Sequence, residues 1–173
     1  MSRGYAIVNV DARGVNNSEG DIRFWGTSEA QDGHDAIEEI AKLPWCSGKI
    51  AMAGNSWLSV CQYGIAGQQP PHLACIAPLE GLSDALREDI FRGGIPNTAF
   101  GNWITSVLPG RNQVEDLVAM GNETPHVSEY FADKRFDMKK IQVPAYIGAS
   151  YSTAVHTIGS LRAFEEIPHN NKW

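Results

Sequence analysis

Residues 49–67, KIAMAGNSWLSVCQYGIAG, set a short apolar run, a Gly-Asn-Ser step and an apolar, helix-compatible segment end to end. Nothing loop-like separates them, so a strand must pass into a helix through one sharp turn. A strand feeding straight into a helix is the repeating unit of a parallel sheet with helical crossovers.

The same alternation extends both ways. Residues 4–10, GYAIVNV, are apolar and partly β-branched and read as a buried strand, and DARGVNNSEG after them reads as a loop. Ser28 with Gln31 forms a capping-box pattern for a helix reaching about Leu43, with Ile37, Ile40, Ala41 and Leu43 on one face. Strands are expected at 49–53 and 73–78, with a helix at 57–67 between them that ends near Gly67 and Pro70-Pro71. Residues 83–141 read as short helical segments (83–92, 113–120, 128–132) broken by Gly and Pro, with no clear strand. A fourth strand at 143–148 precedes a helix from about His156 to Ile167. The expected fold is α/β. Residues 1–82 and 142–173 form a parallel-sheet core, 83–141 a helical insertion, and the strand order is 4–10, 49–53, 73–78, 143–148. Open sheets of this kind place their sites at the C-terminal strand ends.

Composition narrows the functions available. The 173 residues carry a net charge of −6, and Lys139-Lys140 is the only lysine doublet, expected as a solvated helix end. Nothing supplies a basic stripe for phosphates, which argues against a nucleic-acid partner. GVNNSEG, at 14–20, lacks the Lys-Ser/Thr of a phosphate-binding loop. Cys46, Cys61 and Cys75 lack metal-ligand spacing and read as small core residues in a reducing compartment. No apolar run reaches membrane-spanning length, and MSRGYAIVNV reads as a strand rather than a signal peptide, so a cytoplasmic location is expected. The sequons at Asn16 and Asn122 are then not expected to be glycosylated.

Gly54 and Ser56 match the first part of the Gly-x-Ser-x-Gly turn that lifts a serine hydroxyl off a sheet, with Leu58 where the second glycine is expected. Ser56 is therefore either an activated nucleophile or a helix N-cap. Ser150, in GASYS, also follows a strand, but too little chain lies downstream to supply an acid and then a base.

NVDARGVNNSEGD, PWCSGKIAMAGNSWL and APLEGLSDALREDIFRGGIP together resemble the X-prolyl dipeptidyl-peptidase and cocaine-esterase-like family of α/β-hydrolases. The resemblance covers essentially the whole chain. Asp11, Arg13, Gly14, Ser18 and Gly20 match the family's first motif, with Asn16 in place of its middle glycine, and Trp45, Gly54 and Ser56 match its second. It implies Ser56 as nucleophile and the backbone N–H of Trp57, where the family often has tyrosine, as half of an oxyanion hole. It also makes 83–141 a helical cap, in which Phe91, Phe100, Trp103 and Leu108 read as a small core of its own.

The family's acid is an Asp just after the strand matching 143–148, where this chain reads Ser150-Tyr151-Ser152-Thr153. Its histidine follows the next strand, beyond Trp173, and its earlier strands precede Met1, so the chain is expected to be a central portion truncated at both ends. Among the residues present, Glu80, just after the third strand, is the candidate acid or else a carboxylate approaching the cap, with Asp84 the weaker second. His156 is on the correct face and is the candidate base, or else a polar residue at a helix start. His169, His34 and His72 belong at the opposite edge, and His126 is expected to be exposed in the cap.

The implied activity is serine hydrolysis of an ester, amide or X-Pro dipeptidyl bond through an acyl-enzyme on Ser56, without metal or organic cofactor. The alternative is a non-catalytic module or inactive fragment. The partners expected are a small-molecule ester, amide or peptide and, through bare sheet edges, a second copy of the chain; neither nucleic acid nor membrane is expected.

Overall fold

The computed structural model describes residues 3–108 and 110–173. Helix α1 spans Gly26–Ala41, strand β1 Ile50–Asn55, helix α2 Trp57–Gly67 and strand β2 Leu73–Leu79. A single π turn at Leu86–Ile90 leads into a two-residue hairpin, β3 (Phe91–Arg92) and β4 (Ile95–Pro96). Helices α3 (Thr98–Val107), α4 (Leu117–Glu123) and α5 (Glu129–Asp133) follow, then a 3₁₀ turn at Met138–Lys140 and helix α6 (Thr157–Glu166).

β1 and β2 pair in parallel, with Ala51 opposite Cys75 and Asn55 opposite Leu79. The next position is extended chain rather than a continuous strand. Ile76 bridges Ala145 and Leu79 bridges Gly148, both parallel, through bonds such as Tyr146 N–H to Ile76 O at 2.9 Å and Gly148 N–H to Pro78 O at 3.0 Å. Beyond it, Ala145 bridges Lys172 in parallel, and Trp173 N–H donates to Ala145 O at 3.0 Å. The sheet is thus β1, β2, 145–148, 171–173, in the order expected for its middle members.

Four expectations are corrected. Residues 4–10 form no strand; Tyr5 is 77% exposed and Val10 62%. An apolar β-branched run needs a partner strand to satisfy its N–H and C=O groups, and no described residue provides one. Ser28 does not cap α1, because the helix starts two residues earlier after Trp25, which sits at φ 53°. Asp133 caps that end from a distance instead, accepting bonds from the Thr27 N–H and hydroxyl. Residues 83–141 do contain a short hairpin, and α3 was not expected at all. The cysteines are free and partly rather than fully buried, with Cys61 packed against the core.

Apolar residues collect in two bodies. One lies where α2, β2, 138–145 and α6 meet and includes Tyr63, Ile76, Ile141, Ala145 and Ile167. The other joins Phe24 and Trp25 to Val60, Leu82, Leu86 and Leu117, with Trp57, Ile104 and Val155 against it. Phe91 and Leu108 pack onto this second body, whereas Trp103 is 56% exposed. Buried Gln62 ties helix to sheet, donating to Leu58 O and accepting from Ala77 N–H at 3.0 Å.

Candidate active site

Ser56 stands between β1 and α2 with φ 57° and ψ −117°, left-handed backbone that a non-glycine residue rarely occupies. Its N–H donates to Leu79 O at 3.1 Å, and its carbonyl accepts from Ser59 and Val60, which starts the helix. It holds the N-cap position, yet its hydroxyl makes no capping bond. The hydroxyl instead lies 3.3 Å from His156 Nε2.

The turn depends on Gly54. A Cβ built there would collide with the Cβ of Leu58 and come within 3.1 Å of its carbonyl oxygen. Leu58 itself leans into solvent, 61% exposed, which is how leucine is accommodated where a glycine is usual. Gly54→Ala is therefore expected to push β1 and α2 apart and destabilise the protein by about 1–3 kcal/mol. A melting temperature within a degree of wild type would contradict this close approach.

His156 stands at the N-cap position of α6, where its side chain makes no capping bond, and is half-buried. The loop before it is braced by the Thr157 hydroxyl, 2.7 Å from Ser150 O and 2.6 Å from Thr153 O. Burial lowers the imidazole pKa, and the nearby negative charge of Glu80 opposes that. Desolvation is the larger of the two influences.

Glu80 follows β2 at φ 58°, its N–H donating to Gly148 O at 2.7 Å. Asn55 Nδ2 donates to Leu79 O at 3.2 Å and to Glu80 Oε2 at 3.4 Å. Glu80 therefore shares the sheet edge with Ser56 and His156 and acts on the imidazole through space; no hydrogen bond joins the two among the described residues. Asp84 is committed elsewhere, to Arg87 at 2.5 Å and Arg135 at 3.6 Å. His34 pairs with Asp35, His72 with Glu38, and His126 is exposed. His169 has neither ring nitrogen hydrogen-bonded.

A cleft beside Ser56 and His156 is walled by Phe24, Trp25, Trp57, Leu82 and Phe100, with the Asp89 carboxyl as a polar exception. Burial raises Asp89 to about 6, although Arg92 and Asn97 favour its charged form. The Phe24 and Trp57 rings lie 4.7 Å apart and the Trp25 and Trp57 rings 5.4 Å. The pairing of Phe24-Trp25 with Trp57 was not anticipated; its only sequence signal is the adjacent aromatics in RFWG. No three His, Cys, Asp or Glu side chains converge as metal ligands among the described residues, and no helix there is long and apolar enough to cross a membrane.

A parallel sheet with a serine on a strained strand-to-helix turn defines a portion of an α/β-hydrolase. A hydrolase of the CocE/NonD family from Staphylococcus aureus has the same fold, with a TM-score of 0.86 and 34% identity over 94% of this chain and 30% of that one. Residues 1–120 match the X-Pro dipeptidyl-peptidase (S15 family) model, and the chain belongs to that family. It is 37% identical over 84 residues to cocaine esterase of a Rhodococcus species, covering 49% of this chain and 14% of that protein. It is 32% identical over 121 residues to a Mycobacterium bovis protein whose name assigns it to the serine esterases, covering 69% of this chain and 19% of that protein. The chain thus spans about a fifth of the length of its first curated relatives.

Proposed function

We propose that the chain carries the nucleophilic half of an acyl-hydrolase site acting on ester or amide carbonyls, with Ser56 as nucleophile and His156 as its base. The observation behind this reading is the 3.3 Å approach of Ser56 Oγ to His156 Nε2 at a left-handed turn where the hydroxyl caps nothing. In the proposed cycle Ser56 Oγ attacks the carbonyl carbon while Nε2 takes its proton. The proton passes to the leaving alcohol or amine. Water, deprotonated in turn by Nε2, hydrolyses the acyl-enzyme and restores Ser56. The Trp57 N–H, first in α2 and so without an intrahelical acceptor, stabilises the oxyanion. Glu80 stabilises the imidazolium through space. Residues 83–141 serve as the cap, contributing wall residues such as Phe100 to the acyl or leaving-group pocket. Ester or peptide-type substrates are supported by the family and by the names of relatives; the release of an X-Pro dipeptide is the finer possibility within it.

The pH profile tests the base. Burial favours neutral His156, so kcat/KM for an aryl ester should fall on the acid side with a midpoint below the ordinary histidine value of 6.5. Glu80 favours the charged ring, so Glu80→Gln should move that limb to still lower pH. His156→Ala should remove it along with most of the rate. An unchanged limb in His156→Ala would exclude this base. The absence of any Ser56-dependent turnover would favour the non-catalytic alternative, which the missing carboxylate at 150–153 also suggests.

A further inference from the structure

Glu29, in the first turn of α1, resembles an ordinary solvent-facing helix acid in sequence. In the fold it points inward. Its Oε1 accepts from Trp57 Nε1 at 2.8 Å, while Oε2 is out of solvent with no hydrogen-bond partner. A buried carboxyl with one satisfied oxygen is costly, and a folded protein retains few such groups. Among the described residues, its one hydrogen bond to a side chain goes to the residue directly after Ser56. That residue's ring is also wedged against Phe24 and Trp25 in the cleft wall.

We propose that Glu29 is a positioning residue for the Ser56 site, pinning the Trp57 indole and so fixing both the first N–H of α2 and the aromatic wall of the cleft. The consequence for catalysis rests on the acyl-hydrolase reading above; the pinning itself does not. Two elements are locked at one point. The indole can neither swing into the cleft nor leave α2 free to rotate about its first turn while Oε1 holds Nε1.

The lock is also sensitive to protonation. Burial pushes the Glu29 carboxyl up to about 7. Lys134 and the backbone N–H of Trp25 favour its charged form, and Asp32, on the same helix, opposes it. The Cys61 thiol on α2 is pushed up to about 12, by burial first and by Glu29 second, so it stays neutral beside it. Lys134 is itself held by Glu115 and Phe24 O, and among the described residues no cation pairs directly with Glu29. Above its midpoint the indole bond is charge-assisted and stronger; below it, weaker.

The test uses two readouts on the full chain. The first is the Trp57 indole proton, assigned by its disappearance in Trp57→Phe. It should exchange slowly and shift with pH about a midpoint near 7. In Glu29→Gln it should stay protected without that titration, and in Glu29→Leu it should lose protection. The second is aryl-ester turnover. Glu29→Leu should lower kcat about tenfold or more with KM changed less than about twofold, whereas Glu29→Gln, which keeps an acceptor, should remain within about threefold of wild type. Because Trp57→Phe removes the donor, adding Glu29→Leu to it should cost little more than either change alone. An indole proton indifferent to Glu29 overturns the pinning. Protection lost with kcat intact overturns the positioning role. If wild type has no Ser56-dependent turnover, the hydrolase reading fails instead, and the indole proton alone decides whether Glu29 holds Trp57.

Discussion

Replacing Ser56 by alanine is expected to lower ester hydrolysis by at least about a thousandfold while leaving the fold intact. The hydroxyl makes no capping bond, so its loss removes no helix-end partner. The backbone there is left-handed for serine and alanine alike, and alanine is the smaller side chain. Stability should therefore change by well under about 1 kcal/mol while turnover collapses. The 3.3 Å contact with His156 is lost with the hydroxyl. A variant retaining a tenth of wild-type activity would move the chemistry away from Ser56.

The largest effect on stability is expected at Glu88, which is 1% exposed in the π turn after β2. Its carboxylate accepts from Ser83 N–H at 2.6 Å, Asp84 N–H at 3.1 Å and the Ser83 hydroxyl at 2.9 Å. It also pairs with Arg162 Nη1 at 2.7 Å. Glu88→Ala strands two buried amides, a hydroxyl and a guanidinium together, at a cost of about 3–5 kcal/mol. For a chain of this size that lowers the melting temperature by roughly 10 °C. Arg162 belongs to α6, the helix at whose N-cap position His156 stands, and Ser160 on the same helix accepts from Gly81 N–H at 3.0 Å. Loss of Glu88 should thus loosen His156 as well, lowering turnover more than the unfolded fraction explains. A melting temperature within a degree of wild type would contradict the account of this anchor.

The unit from β1 to β2 was legible because each boundary has a local cause. Short apolar runs form the strands, Ser56 occupies the turn, and Gly67 with Pro70-Pro71 ends the helix; α2 falls on the residues its pattern indicates. Residues 4–10 misled because their composition suits a strand, but a strand is defined by its neighbour, and none among the described residues pairs with them. The Gly54 and Ser56 half-motif was visible, whereas the exposure that accommodates Leu58 was not. His156 could be placed on the right face, but its 3.3 Å approach to Ser56 could not, because 100 positions separate them and the distance is set by α6 docking through Ser160 and Arg162. Glu29 and Glu88 were least visible of all. An acidic residue on a helix or turn looks solvated in sequence, and only tertiary packing turns it inward.

The most direct measurement is covalent labelling of the chain with a fluorophosphonate, with the modified residue located by peptide mass spectrometry. The account predicts a single phosphonyl adduct on Ser56, absent in Ser56→Ala and formed at least about tenfold more slowly in His156→Ala. No adduct, an adduct on another serine such as Ser150, or a labelling rate indifferent to His156 would contradict it.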